Sequence, residues 1–200
     1  MIEFISKGGV LMVPILLCSA LALAIFVERV IRFSLMKTRG AGLAERVGAL
    51  VREGKSNEAA SVAMESDSSM GRILEKAIAV KDLDREMIET VIVSATDEEI
   101  RDLSTYTQAL ATIGNIAPLL GLLGTVLGMI KAFMVIQQMG GKVNAAVLAG
   151  GIWEAMLTTA FGLAVALPTM VAHSYLVSKI DDYEARLQSG AVTFLKRIVG

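Results

Sequence analysis

The stretch GIWEAMLTTAFGLAVALP, Gly151–Pro168, is apolar or small throughout except for two threonines and one glutamate. A run of this composition reads as part of a helix crossing a bilayer. A carboxylate is expensive there, so Glu154 either lies at the end of the buried segment or is held in it for a purpose. Beyond it, Ala155–Ser178 carries no acidic or basic side chain other than His173, and two further uncharged runs, Gly8–Val27 and Leu103–Ile130, precede it. Each is long enough to span a membrane at about 20 residues per crossing. A hydrophobic content of 54% and a mean hydropathy of +0.61 exceed those of an ordinary soluble domain. The fold expected is all-α: a polytopic membrane protein with three transmembrane helices and long helices extending into the cytoplasm.

The first run follows Lys7 but ends on Glu28, Arg29 and Arg32 rather than on a small-residue cleavage site, and is read as a retained helix. Twelve Lys and Arg lie between Arg29 and Arg101, and four more (Lys179, Arg186, Lys196, Arg197) follow Ser178, whereas the N-terminus and the loop near Gly140 hold only Lys7 and Lys142. The excess of cations on cytoplasmic loops orients the chain. Residues 1–7 are expected to be periplasmic, 8–32 the first span, 33–102 a cytoplasmic helical region, 103–139 the second span, 140–145 a periplasmic loop, 146–178 the third span and 179–200 a cytoplasmic C-terminal helix. This puts the N-terminus outside and the C-terminus in the cytoplasm. A net charge of −1 gives no reason to expect nucleic-acid binding, and the lone Cys18 permits no intrachain disulfide.

Between Leu43 and Glu99, apolar residues recur at helical spacing among charged ones, as in Ile73, Leu74, Ala77 and Ile78, which describes amphipathic helices facing one another or a neighbouring chain. Gly54, Ser66–Ser69 and Asp82–Asp84 are the breaks, with an aspartate available to cap the next helix. Nothing after Asp84 breaks a helix before Gly114, so a single helix is expected to run from the cytoplasm into the second span.

Small residues recur every three or four positions in the second and third spans: Gly114, Ala117, Gly121, Thr125, Gly128 and Ala132 in one, Gly151, Ala155, Thr158, Gly162 and Ala166 in the other. Such stripes let backbones approach closely in lipid, where association depends on packing, and Gly121, Gly124, Gly128, Gly151 and Gly162 are read as packing positions. If Gly140-Gly141-Lys142 is the tip of an antiparallel hairpin, Thr125 and Thr159 lie at equal depth, about 25 Å from the tip at 1.5 Å per residue. Glu154 lies nearer the outside, with Thr158 one turn deeper on its face. A carboxylate and several hydroxyls thus share one side of an otherwise apolar hairpin.

The segments LATIGNIAPLLGLLGTVLGMIKAF (Leu110–Phe133) and GIWEAMLTTAFGLAVALP resemble the MotA/TolQ/ExbB proton channel family, in its ExbB/TolQ branch. Trp153 departs from the pattern, which has a small residue there. The resemblance implies a homo-oligomer, a pentamer whose second and third helices line a central pore. Inside that pore would sit a two-copy, single-span partner of the ExbD or TolR type, carrying the aspartate that takes up and releases the proton. Thr125, Glu154, Thr158 and Thr159 would line the proton pathway, and the work would pass to a TonB- or TolA-like protein.

Other readings of the same residues stand beside this one. Glu154 as an interface residue bonded to a hydroxyl, and the threonines bonded to their own helix carbonyls, would serve packing alone in a structural scaffold for a single-span partner. Pro118 and Pro168 are expected to kink or break their helices and are candidate hinges. His173 is read as interfacial and Lys131 as snorkelling to the outer surface. No second histidine exists to build a metal site. No phosphate loop, nucleophile elbow or zinc-protease motif points to an enzyme or a cofactor.

Overall fold

The computed structural model describes residues 9–36, 40, 42–138 and 145–199. Residues 1–7 and the Gly140-Gly141-Lys142 tip lie outside them. The described residues form seven helices and no strand: α1 (Met12–Met36), α2 (Leu43–Arg52), α3 (Ser56–Glu65), α4 (Ser69–Ala79), α5 (Arg85–Ser104), α6 (Thr107–Gln138) and α7 (Ala145–Val199). Three stretches are long and apolar enough to cross a membrane: Met12–Ser34, Thr107–Gln138 and Leu148–Ile198. The fold is that of an all-α polytopic membrane protein.

The chain divides into two compact units, one of Met1–Glu28 with Tyr106–Tyr175, the other of Arg29–Thr105 with Leu176–Gly200. In the first, the buried positions of α6 are Thr107, Leu110, Gly114, Ala117, Gly121, Gly124, Gly128 and Ala132. This alternation of three and four residues keeps one narrow stripe on the same face, as left-handed helix packing requires. Its counterpart on α7 is Ala155, Thr158, Gly162, Ala166 and Thr169. Helix α1 contributes Met12, Ile15 and Ala22, and Phe26 meets Tyr175 edge-on with ring centroids 6.4 Å apart. The large residues Leu119, Leu122, Val126, Met156, Leu163 and Leu167 point outward. The α6–α7 seam is thus built mainly of small residues while many large ones face outward, the expected arrangement where lipid is the solvent.

The second unit has an ordinary apolar core, in which Val47, Ile73, Leu74 and Phe194 are fully buried. The breaks between its helices fall where the turn signals place them. Gly54 takes φ +79° after α2, and Ser68 caps α4 by accepting from the Gly71 amide at 3.1 Å. Asp84 occupies the N-cap of α5 without a side-chain cap bond.

One expectation about helix continuity is corrected. The helix entered at Arg85 does not run on to Gly114: α5 ends at Ser104, Thr105 is extended at ψ 136°, and Tyr106 is left-handed at φ +65° before α6 begins. Arg29, 1% exposed, donates from Nη1 to the Leu103 and Asp102 carbonyls at 3.2 and 3.4 Å, so a buried guanidinium meets the last carbonyls of α5, where Asp102 also accepts the Thr105 amide. Arg32 adds an ion pair with Asp102 at 2.9 Å. The two prolines stand inside helices that continue past them. Pro118 lies within α6 and Pro168 within α7, which continues unbroken for 55 residues.

Candidate functional site

The register of α6 against α7 follows from its smallest residues. A Cβ built on Gly121 would stand 2.9 Å from the Thr159 Cα, one on Gly128 2.8 Å from the Ala155 Cβ, one on Gly151 2.8 Å from the Ala132 Cβ and one on Gly162 2.6 Å from the Ala117 carbonyl oxygen. A Cβ on Gly124 would overlap the Thr158 side chain. Five glycines therefore admit the opposite helix where a methyl group would exclude it.

That register gathers Thr125, Glu154, Thr158 and Thr159 along one length of hairpin, each in a different setting. Thr158, 2% exposed, lies in the seam and donates to the Glu154 carbonyl at 2.9 Å. Thr159 donates across the helix pair to the Gly121 carbonyl at 2.8 Å. Thr125 is half-buried and donates to Leu122 of its own helix at 2.6 Å. Of these three bonds, two are local and one ties the helices together.

Sequence reasoning missed the surroundings of Glu154. Lys131 does not stand alone at the surface, because its Nζ lies 3.4 Å from the Glu154 Oε1. A second neighbour is Gly9, just before α1, with φ +69°; a Cβ there would overlap the same oxygen. Lys131 and Glu154 are 23 residues apart, and no periodicity pairs them. The signal available was the register itself, since Ala132 meets Gly151 and Ala155 meets Gly128, which brings the residues just before Ala132 and Ala155 side by side. Trp153, beside Glu154, is exposed. His173 and Cys18 are half-buried, and no group of His, Cys, Asp and Glu among the described residues could hold a metal ion.

The second unit carries one further charged constellation. Arg72 from α4 donates from Nε to the Glu99 Oε1 of α5 at 2.6 Å and pairs with Oε2 through Nη2. Burial pushes the Glu99 carboxyl up, but hydrogen bonds from Arg72 and Ser69, with the Arg72 and Lys76 charges, hold it below its ordinary value. The Arg72 guanidinium is raised, chiefly by its bond to Glu99.

Apolar helices packed through glycine, with a carboxylate and hydroxyls along the packed pair, define a polytopic helical membrane protein. The chain belongs to the MotA/TolQ/ExbB proton channel family, whose pattern matches residues 65–189. It stands in the ExbB/TolQ branch. It is 33% identical over 166 residues to an ExbB-like biopolymer transport protein of Synechocystis, covering 82% of this chain and 79% of that one. It is 31% identical over 184 residues to the biopolymer transport protein exbB1 of Vibrio cholerae, covering 90% and 80%. With the biopolymer transport protein ExbB of Salmonella typhimurium the identity is 44% over 86 residues, 43% of this chain and 35% of that protein. The family is described as one of proton channels and these relatives as biopolymer transport proteins, so the general role is transport.

Proposed function

We propose that this chain is the wall-forming subunit of an inner-membrane proton channel that converts proton motive force into mechanical work. In this reading it assembles as a homo-oligomer, a pentamer, around a single-span partner of the ExbD/TolR type. Its N-terminus is periplasmic and its C-terminus cytoplasmic, with residues 8–32, 103–139 and 146–178 in the membrane. Thr125, Glu154, Thr158 and Thr159 line the path beside the partner's aspartate. Work passes to a TonB- or TolA-like protein at the outer membrane.

The observation that carries this reading is a row of polar groups maintained along a glycine-packed hairpin in a chain of this family. Glu154 in particular is costly in lipid, and the close approach of α6 and α7 is already provided for by the glycines. The scaffold reading draws on a different observation: the Thr125, Thr158 and Thr159 hydroxyls already donate to backbone carbonyls.

Valine in place of threonine separates the two. Thr125→Val and Thr159→Val keep the shape and remove the hydroxyl, and an interhelical bond in a membrane is worth only about 0.6 kcal/mol on average. Assembly, followed by native mass spectrometry, is expected to survive both changes while proton-driven work falls. Loss of the complex in both variants would mean that the hydroxyls serve packing, and the scaffold reading would replace this one.

A further inference from the structure

The Glu154 carboxylate is not an open anionic group. Its Oε1 lies 3.4 Å from the Lys131 ammonium on one side and against the bare backbone of Gly9 on another, where even a methyl group would overlap it. The pair is set by the seam: Gly128 and Ala132 on α6 lock onto Ala155 and Gly151 on α7, and Lys131 and Glu154 each precede one of these contacts by a residue. Lys131 is 61% exposed and Glu154 32%, so both reach the surface of this unit rather than its dry interior.

We propose that Lys131 is a specificity-determining residue of the ion path: its ammonium occupies the cation position on the Glu154 carboxylate and keeps alkali-metal cations off it. The inference rests on the reading of Glu154 as part of that path. A lone carboxylate in a channel favours cations of any kind, whereas a carboxylate already facing a fixed cation offers no net charge to hold a second one. Lysine suits the task because its ammonium is a compact point charge. A proton differs from a metal ion in needing no coordination shell, so it passes between hydroxyls, carboxylate and water where a sodium ion finds neither charge nor room. Gly9 contributes by bringing backbone against the carboxylate, which leaves little space for a hydrated ion.

The test reads cation binding without relying on transport. The full-length protein, purified as its native complex in detergent, is melted in sodium chloride and in choline chloride at equal ionic strength. The forms compared are wild type, Lys131→Met, Lys131→Gln and the double variant Lys131→Met/Glu154→Gln. Wild type is expected to melt at the same temperature in both salts. The two single variants should melt about 3 °C higher in sodium, the rise given by a site at roughly tenfold saturation, and the double variant should lose that difference. Lys131→Gln, which still donates a hydrogen bond to the carboxylate, covers the case in which Lys131→Met does not fold. No sodium-specific rise in either single variant, or the same rise in wild type, overturns the inference. Proton uptake that is unchanged by Glu154→Gln would remove the ion-path reading instead and leave the sodium response of the Lys131 variants standing.

Discussion

Arg29 is the most deeply buried charge among the described residues, and replacing it tests how the end of α5 is held. Its Nη1 carries two N–H groups and donates to the Leu103 and Asp102 carbonyls at 3.2 and 3.4 Å; both bonds are long, and together they are worth about 1.5–3 kcal/mol. A cation at a helix C-terminus adds about 0.3–1 kcal/mol through the helix dipole. Arg29→Met keeps the length of the stem, removes the charge and returns part of its desolvation cost, which leaves a loss of about 2–3 kcal/mol. For a chain of this size that corresponds to a fall of about 4–12 °C in melting temperature. Arg32→Ala removes an exposed pair with Asp102 and should cost no more than about 1 kcal/mol. Thermal melting in detergent measures both, and hydrogen exchange locates the effect, since the amides following Asp102 should lose protection in Arg29→Met and keep it in Arg32→Ala. Equal melting temperatures for the two variants, or an Arg29→Met form within about 1 °C of wild type, would refute the account of the α5 terminus.

The seam and the Arg72–Glu99 pair give two further expectations. Gly162→Ala sets a methyl group 2.6 Å from the Ala117 carbonyl oxygen and should cost about 1–3 kcal/mol in melting experiments, whereas Gly150→Ala, with nothing within 4 Å, should be neutral or slightly stabilising. Glu99 titrates below its ordinary value when folded, so its contribution is present above the unfolded carboxyl range near pH ~4.3 and is lost as pH falls through the lower folded value. Arg72→Met, melted between pH 3 and pH 7, should be less stable than wild type at neutral pH and converge with it in acid; a constant gap would show that the pair does not set the pH dependence.

How far the fold could be read from the sequence depends on which forces act locally. The uncharged runs and the small-residue stripe on Gly114, Ala117, Gly121 and Gly128 are periodic patterns that one chain segment carries by itself, and they yielded the helical membrane fold and the close α6–α7 seam. The breaks at Gly54 and Ser68 were equally local. The end of α5 was not, because Thr105 and Tyr106 carry no breaker signal, and the left-handed Tyr106 stands beside carbonyls occupied by an arginine more than 70 residues away. The membrane boundary expected at Ser178 is a change from apolar to charged composition with nothing in it that interrupts a helix, and α7 runs through. At the candidate site, Thr125, Glu154, Thr158 and Thr159 were legible as polar residues out of place in lipid. Lys131 and Gly9 were not, because their relation to Glu154 exists only once three helices are packed.

The central claim is that Glu154 serves proton movement rather than packing, and proton uptake into vesicles bearing the full complex tests it most directly. Imposed membrane potential drives uptake, a pH-sensitive dye reports it, and native mass spectrometry checks that each complex remains whole. Glu154→Gln preserves size and hydrogen bonding but cannot ionise, and should lose part of the uptake. Glu154→Ala removes the group, frees Lys131 of its counter-charge and should lose more, with the oligomer intact in both. Wild-type uptake from an intact alanine variant would contradict the account and make Glu154 a bystander in the wall.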